Sequence, residues 1–276
     1  MQRTRRLASM VVVASLAIAG LSACRSAPTV AAYVGDAQIP ESRVQDIWDD
    51  ARAAFDADAE AKLAEARKAV DDAKAQLATG QATELDVKTA EDALAQVPTR
   101  MPIERADVVS VLVSRKLYDQ LAQRHSVSLP AELAYDRAGA AVGLPASTEY
   151  VRLYTQNAVL QYLVSQSLTG AAALSDADLK DVFQRAEKRN AIRPGTTFES
   201  FRSGLNAQFT EDLKNGVALR NELTSVAGPL HITINPRYQP MEIVTYSYPL
   251  QNAPALDLVG APLGDQRSGL PVTDLS

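Results

Sequence analysis

The side chains that could do chemistry in this chain are few and far apart. Cys24 is the one cysteine, and His125 and His231 are the only histidines among 276 residues. Metal sites group histidine, cysteine and carboxylate ligands at short spacing, and neither histidine has such neighbours. The chain also has no Gly-x-Ser-x-Gly elbow and no glycine-rich phosphate-binding motif. The sequence therefore predicts no catalytic residues and no metal or other cofactor, which favours a protein that is not an enzyme.

Adjacent acidic residues are the remaining candidates for acid–base chemistry. They occur at Asp49–Asp50, Asp71–Asp72 and Glu91–Asp92, in stretches with helical spacing and with lysine or arginine nearby. This setting is typical of a solvated helix face. We interpret these pairs as surface charge, and His125 as a residue that ends a helix and complements its dipole.

Cys24 follows a segment that is typical of exported proteins. Three arginines within residues 1–6 precede an uncharged, mostly apolar run over residues 7–21, as in a secretory signal peptide. The run ends in "LSAC", which resembles the bacterial lipobox. The resemblance implies cleavage between Ala23 and Cys24, transfer of a diacylglycerol to the thiol and usually acylation of the new N-terminus, as with palmitate. The alternatives are a short transmembrane anchor and a buried, unmodified cysteine.

A lipid on Cys24 would determine where the protein works. Two or three acyl chains anchor a protein stably, because each buried CH₂ group contributes about 0.8 kcal/mol. We therefore predict a signal peptide over residues 1–23, a tether over 24–30 and a site at the extracytoplasmic face of the cell membrane. Membrane lipid would be the first partner.

The overall charge argues against nucleic acid as a partner. The chain has 28 basic and 33 acidic residues, and its net charge of −5 falls to about −8 once the leader with its three arginines is removed. An acidic protein repels phosphate backbones and gains no basic grip on anionic lipid. No second cysteine is present for a disulfide, so stability must come from a hydrophobic core.

The apolar periodicity predicts a long helical hairpin over residues 41–97. After a strand, turn and strand in "AAYVGDAQI", a helix of about 38 residues would span roughly 55–60 Å. We expect its distal half and a return helix to form an arm over residues 56–97. The alternative is one long solvated helix with a disordered return. The residues of the near-heptad stripe that could bind a partner are Leu63, Val70, Leu77, Leu85 and Leu94.

The remainder of the chain predicts a helical body closed by a strand. Amphipathic stripes with capping pairs Ser175/Asp178 and Thr196/Glu199 lead to the alternating segment "LHITINPRY". In that segment Arg237 and Tyr238 either end the strand and cover the core, as we expect, or contact a partner. Residues 249–276 are rich in proline and glycine, which predicts a disordered or loosely docked tail.

These elements together predict a mainly α fold. Isolated strands are unstable, so "AAYVG" and "HITIN" are expected to pair and to bring the two ends of a domain over residues 31–248 together. The fold would be a helical body with a projecting antiparallel helical hairpin arm and a small β pairing between N- and C-terminal strands.

Three segments resemble lipoproteins with a SurA-like N-terminal domain. They are "AAYVGDAQIPESRVQDIW", "VLVSRKLYDQLAQRHSVSL" and "ITINPRY", and the resemblance covers residues 31–238. The chain departs from the family at Ser126, where a glycine is usual, at Leu129–Pro130, where a Ser-Asp cap is usual, and in its longer arm. SurA-like and PrsA-like chaperones often contain a parvulin prolyl-isomerase domain of about 100 residues. Only about 55 residues lie between Ser175 and Leu230, too few for such a domain of typical size, so isomerase activity is not expected.

The resemblance implies a chaperone-like function without catalysis, the binding of unfolded or exported polypeptides. A second hypothesis is an accessory or structural lipoprotein that binds one dedicated protein of a cell-envelope complex through its coiled-coil arm. A third is an enzyme with an unrecognised site, for which a pocket of convergent titratable groups would be the sign.

Overall fold

A computed structural model describes residues 29–168, 173–250 and 253–264. Ala23, Cys24 and the rest of the leader lie outside these residues, as does the chain from residue 265. The strands are β1 Val30–Val34, β2 Ala37–Pro40, β3 Thr233–Ile234, β4 Met241–Leu250 and β5 Ala253–Leu263. The helices are α1 Glu41–Ala78, α2 Glu84–Ala95, α3 Arg105–Arg124, α4 Tyr135–Val142, α5 Glu149–Ser167, α6 Asp176–Lys188, α7 Phe198–Ser203 and α8 Ala207–Ala227. The predicted mainly α fold is confirmed.

The predicted pairing of the N- and C-terminal strands is also present. β1 pairs with β2 on one side and with β3 on the other, with Ala32 opposite Ile234 in an antiparallel register. Gly35 has a φ of +60°, which glycine adopts at little cost, and its N–H donates to the carbonyl of Leu230 at 2.7 Å. The sheet thus joins the beginning of the body to the segment that follows α8.

The main core lies beneath this sheet. The first half of α1 buries Val44, Ile47, Ala51 and Phe55, and α3 has buried residues around most of its circumference. Helix α5 and the C-terminal half of α8 complete the core, together with residues from both ends of the described chain. α3 is therefore the central helix of the body.

A second, smaller core lies between α6, α8 and a long hairpin formed by β4 and β5. Its buried residues are Leu179, Val182, Ala186, Leu213, Val217, Leu256, Leu258 and Val259. One end of the hairpin contributes Met241, Ile243 and Leu263 to the main core. The hairpin and α8 therefore connect the two cores.

The predicted tail is wrong over residues 253–263, and the body extends past the predicted boundary at 248. β5 pairs with β4 along its length and has buried side chains at Leu258, Val259 and Leu263. The prolines at positions 249, 254 and 262 were the reason for predicting an unstructured segment. A two-stranded ribbon tolerates proline because a missing N–H can face away from the partner strand.

One of the two predicted capping pairs is displaced. Ser175 and Asp178 form the expected capping box at the start of α6. The cap of α7 is Thr197, whose hydroxyl accepts from the N–H of Ser200 at 3.2 Å, and not Thr196. α7 ends after Ser203, and Asn206 caps a new helix, α8. The apolar stripe that predicted one helix therefore spans two.

Close packing between α8 and the hairpin makes Gly216 a sensitive position. A Cβ atom at Gly216 would lie 2.6 Å from the Cβ of Tyr246, so Gly216→Ala should destabilise the fold by about 1–3 kcal/mol despite the better helix propensity of alanine. Gly228 directly follows the same helix, and a Cβ atom there would have no packing neighbour within 4 Å, so Gly228→Ala should leave stability nearly unchanged. Urea unfolding of the two variants measures the difference, and equal stabilities would contradict this packing.

Candidate binding surfaces

The arm projects from the body as a continuation of α1. This helix has 38 residues, a length of about 57 Å. Ala59 is the last residue of α1 that packs against the main core. Beyond it, α1 packs against α2, and Val70 is buried there, outside both cores. The return segment is helical, so the alternative of a disordered return is wrong.

The five stripe residues predicted to bind a partner have different environments. Val70 is buried, and Leu63 and Leu94 are half-buried, so these three are largely covered within the arm. Leu77 and Leu85 flank the turn at the tip and are 37% and 71% exposed. The structure therefore leaves only the two tip leucines well placed to contact another protein.

Ion pairs cover the solvent side of the arm. Lys74 Nζ lies 2.8 Å from Glu91 Oε1 and joins the two helices, while Lys68 pairs with Asp72 one turn away. Hydrogen bonds to these carboxylates raise the pKa of both lysines. All four side chains are at least half exposed, and such pairs contribute little stability in water. Of the acidic pairs noted in the sequence, Asp71–Asp72 and Glu91–Asp92 lie on the arm, and Asp72, Glu91 and Asp92 form surface ion pairs there.

A capping box at the arm tip was not recognised in the sequence. Thr83 Oγ1 accepts from the N–H of Asp86 at 3.3 Å, and the Asp86 carboxylate accepts from the Thr83 N–H at 2.8 Å. The hydrogen bonds from Thr83 lower the pKa of Asp86. The signal was a threonine followed three residues later by an acid. The cap fixes where α2 begins, and so holds Leu85 in its exposed position.

Partly exposed aromatic rings lie at the edge of the second core in two groups, one around Phe183 and one around Phe209. We call Phe198, Phe201, Phe209, Tyr246 and Tyr248 the aromatic surface. Ring centres are 5.4 Å apart for Phe209 and Tyr248 and 6.1 Å for Phe209 and Tyr246. Tyr248 is 43% exposed, and the other four rings are half-buried. Partial burial raises the pKa of Tyr246 to about 12, so its hydroxyl stays neutral.

A polar cleft of about 780 Å³ lies between α6, α8 and the hairpin. The Arg185 guanidinium binds both oxygens of Glu242, at 2.9 and 2.6 Å, and also contacts Asp181 at 2.9 Å. Arg220 binds Asp178 at 2.7 Å. The hydrogen bonds that Arg185 donates to Glu242 raise the pKa of the guanidinium. These ion pairs join α6 to β4 and α6 to α8, which is a structural role.

The two histidines lie in different parts of the fold, and His125 shares its partner Glu222 with Arg124. His125 follows α3 as expected, and its Nε2 lies 3.2 Å from Glu222 Oε2 on α8. His231 is exposed and precedes β3. Within residues 29–168, 173–250 and 253–264, no three histidine, cysteine or acidic side chains are placed to hold a metal ion.

The segment "NPRY" has the structural role expected for it. Asn235 Oδ1 accepts from the N–H of Arg237 at 3.3 Å and so forms the turn after β3. Tyr238 is 7% exposed, and its hydroxyl donates to Glu41 Oε2 at 2.7 Å. These contacts fasten the end of β3 to the start of α1.

Comparison of the chain with protein-family models, with curated proteins and with solved structures finds no match. None of the helices in the described part of the chain is both long enough and apolar enough to cross a bilayer.

Proposed function

We propose that this chain is a lipid-anchored extracytoplasmic protein that binds unfolded or exported polypeptides without catalysis. The observation that carries the proposal is the aromatic surface at the edge of the second core. Its half-exposed rings can contact apolar side chains of many sequences, because aromatic rings bury a large area with few rotatable bonds. The lipobox-like "LSAC" and the SurA-like segments support the location and the class of function.

The contacts of the charged residues in the described part of the chain suit a protein that binds without catalysis. The arginines and acids of the polar cleft are engaged with one another, and His125 contacts Glu222 across two helices. A surface that holds unfolded chains through shallow apolar contacts requires no activated nucleophile and no acid–base pair.

Suppression of aggregation tests the proposal. The mature chain should slow the aggregation of several unrelated unfolded proteins. The double substitution Tyr248→Ser and Leu250→Ser should weaken this effect severalfold, because both side chains are exposed, at 43% and 39%. Tyr248 belongs to the aromatic surface, and Leu250 follows it on β4. Leu77→Gln with Leu85→Gln, at the arm tip, is the matched control and should retain full effect. Equal activity of the two double variants would overturn the assignment to the aromatic surface.

A second candidate function is the binding of one dedicated envelope protein through the arm. Leu85, 71% exposed on a capped helix, favours it. For this second function, the arm-tip variant is the test and the hairpin variant is the control. Crosslinking in the native envelope should capture a single protein, Leu77→Gln with Leu85→Gln should abolish its capture, and the hairpin variant should not. If this second function is correct, the chain should not suppress the aggregation of unrelated unfolded proteins.

A further inference from the structure

The first described residue is fixed to one edge of the body. The carbonyl of Thr29 accepts from the N–H of Glu41 at 2.9 Å, where α1 begins. Asn235 Nδ2 donates to the carbonyl of Val30 at 3.3 Å, where β3 ends. The chain that leads back to Cys24 therefore leaves the body beside the start of α1.

Glu41 and Trp48 lie two helical turns apart on one face of α1, which begins at this exit. We call Glu41, Trp48, Arg105 and Arg237 the tether face. Arg237 pairs with Glu41, and both carry further contacts to Tyr238. The Arg105 Cζ lies 4.2 Å from the centre of the Trp48 ring, which is half-buried against the main core. Arg105 also donates to Gln45, which lies one turn after Glu41 on the same face of α1, so the two arginines border one face.

Arg105 is the residue of this face with donors available for an external group. It is exposed, its Nε donates to Gln45 Oε1 at 2.9 Å, and it forms no ion pair with any acid of the described residues. A guanidinium binds phosphate oxygens with two parallel hydrogen bonds. Tryptophan is enriched at the level of lipid headgroups, where one part of its ring is apolar and the N–H meets water.

We propose that the tether face lies against the bilayer and that phospholipid headgroups occupy it. The proposal rests on the lipid anchor at Cys24 proposed above. Five residue steps separate Cys24 from Thr29, and a fully extended chain of that length reaches about 17 Å. The tether is therefore too short to let the body turn a distant surface toward the membrane.

The same geometry places the arm tip far from the anchor. α1 begins at the tether face and contains no glycine or proline over residues 41–78, so it extends for about 57 Å as one helix. Acidic residues outnumber basic ones in residues 56–97, and anionic headgroups repel such a segment. The tip with Leu77 and Leu85 therefore stays in water.

Trp48 is the only tryptophan, so its fluorescence tests the proposal without labelling. The lipidated chain is reconstituted into vesicles of phosphatidylethanolamine and phosphatidylglycerol that contain a lipid with a nitroxide on its headgroup. The nitroxide should reduce Trp48 emission by about twofold if the indole lies at headgroup level. A chain with Trp48→Phe and Leu85→Trp moves the only indole to the arm tip and should show no reduction. Arg105→Glu should lessen the quenching of Trp48, and Arg105→Lys should preserve most of it.

Flotation of the vesicles separates failure of the anchor from failure of the face. A chain that does not float with the vesicles contradicts the anchor and the tether face together. A chain that floats while the nitroxide leaves Trp48 emission unchanged overturns the tether face and leaves the anchor intact. Quenching of the indole at position 85 would show that the arm lies on the bilayer, which also overturns the proposal.

Discussion

A chain that ends at Gly228 is expected to lose cooperative unfolding altogether. The removed segment contributes β3, β4 and β5, and its side chains are part of both cores. Each large apolar side chain contributes about 1.5–3 kcal/mol when fully buried, and a domain is stable by only about 5–15 kcal/mol in total. The residues lost from the cores are Ile232, Ile234, Tyr238, Met241, Ile243, Leu256, Leu258, Val259, Ala261 and Leu263. Thermal denaturation followed by circular dichroism should show no sigmoidal transition.

Deletion of the arm is the matched control for this truncation. Replacing residues 60–96 with a flexible glycine–serine linker removes a segment of comparable size that buries only Val70 and adds nothing to either core. Since arm deletion should cost less than about 1 kcal/mol, the melting temperature should stay within about 4 °C of the parent value. A sharp transition in the truncated chain, or none in the chain without its arm, would contradict the assignment of the cores.

Cys24→Ser is expected to move the protein from the membrane fraction to the soluble fraction. The thiol is the acceptor that the lipobox resemblance implies, and each CH₂ of an acyl chain contributes about 0.8 kcal/mol of membrane affinity. Ser26→Ala, two residues later, keeps the thiol and should leave the protein with the membrane. The measurement is fractionation followed by a wash in alkaline carbonate.

The alternative anchor gives the opposite result in the same experiment. If residues 7–21 are retained as a short transmembrane segment, the Cys24→Ser protein resists the carbonate wash as fully as the parent does. That outcome would remove the lipid anchor, and with it the argument that the tether holds one face of the body near the bilayer.

The arm and the joined ends were predictable because each depends on a local pattern. A stripe at steps of three and four residues from Leu63 to Leu77, interrupted at Gly80, is enough to predict two antiparallel helices. The pairing of β1 with β3 followed from the instability of a lone strand. Both inferences needed only the type and spacing of nearby residues.

The hairpin of β4 and β5 was not predicted because its residues do not alternate regularly between apolar and polar. Prolines and Gly260 interrupt the alternation of β5, and register shifts occur opposite Val244 and Tyr246, so no strict period of two is visible. Its stability comes from α6 and α8, which cover Leu258 and Val259. Such support is a tertiary effect that a local pattern does not contain.

The candidate surfaces were only partly predictable for a similar reason. The phenylalanines of the aromatic surface belong to the apolar stripe seen in the sequence, but the contacts of Phe209 with Tyr246 and Tyr248 depend on the hairpin. The pairing of Arg185 with Glu242 joins residues 57 positions apart, and no sequence pattern specifies it. Exposure of Leu85 depends on the Thr83 cap, whose signal was present and not recognised.

The anchor on which location and orientation depend is tested most directly by the mass of the mature protein. Purification from the native membrane followed by intact-mass and N-terminal peptide analysis should find a chain that begins at Cys24, with a diacylglyceryl group on the sulfur. A mature polypeptide that begins at another residue, or that begins at Cys24 with an unmodified thiol, would contradict the account.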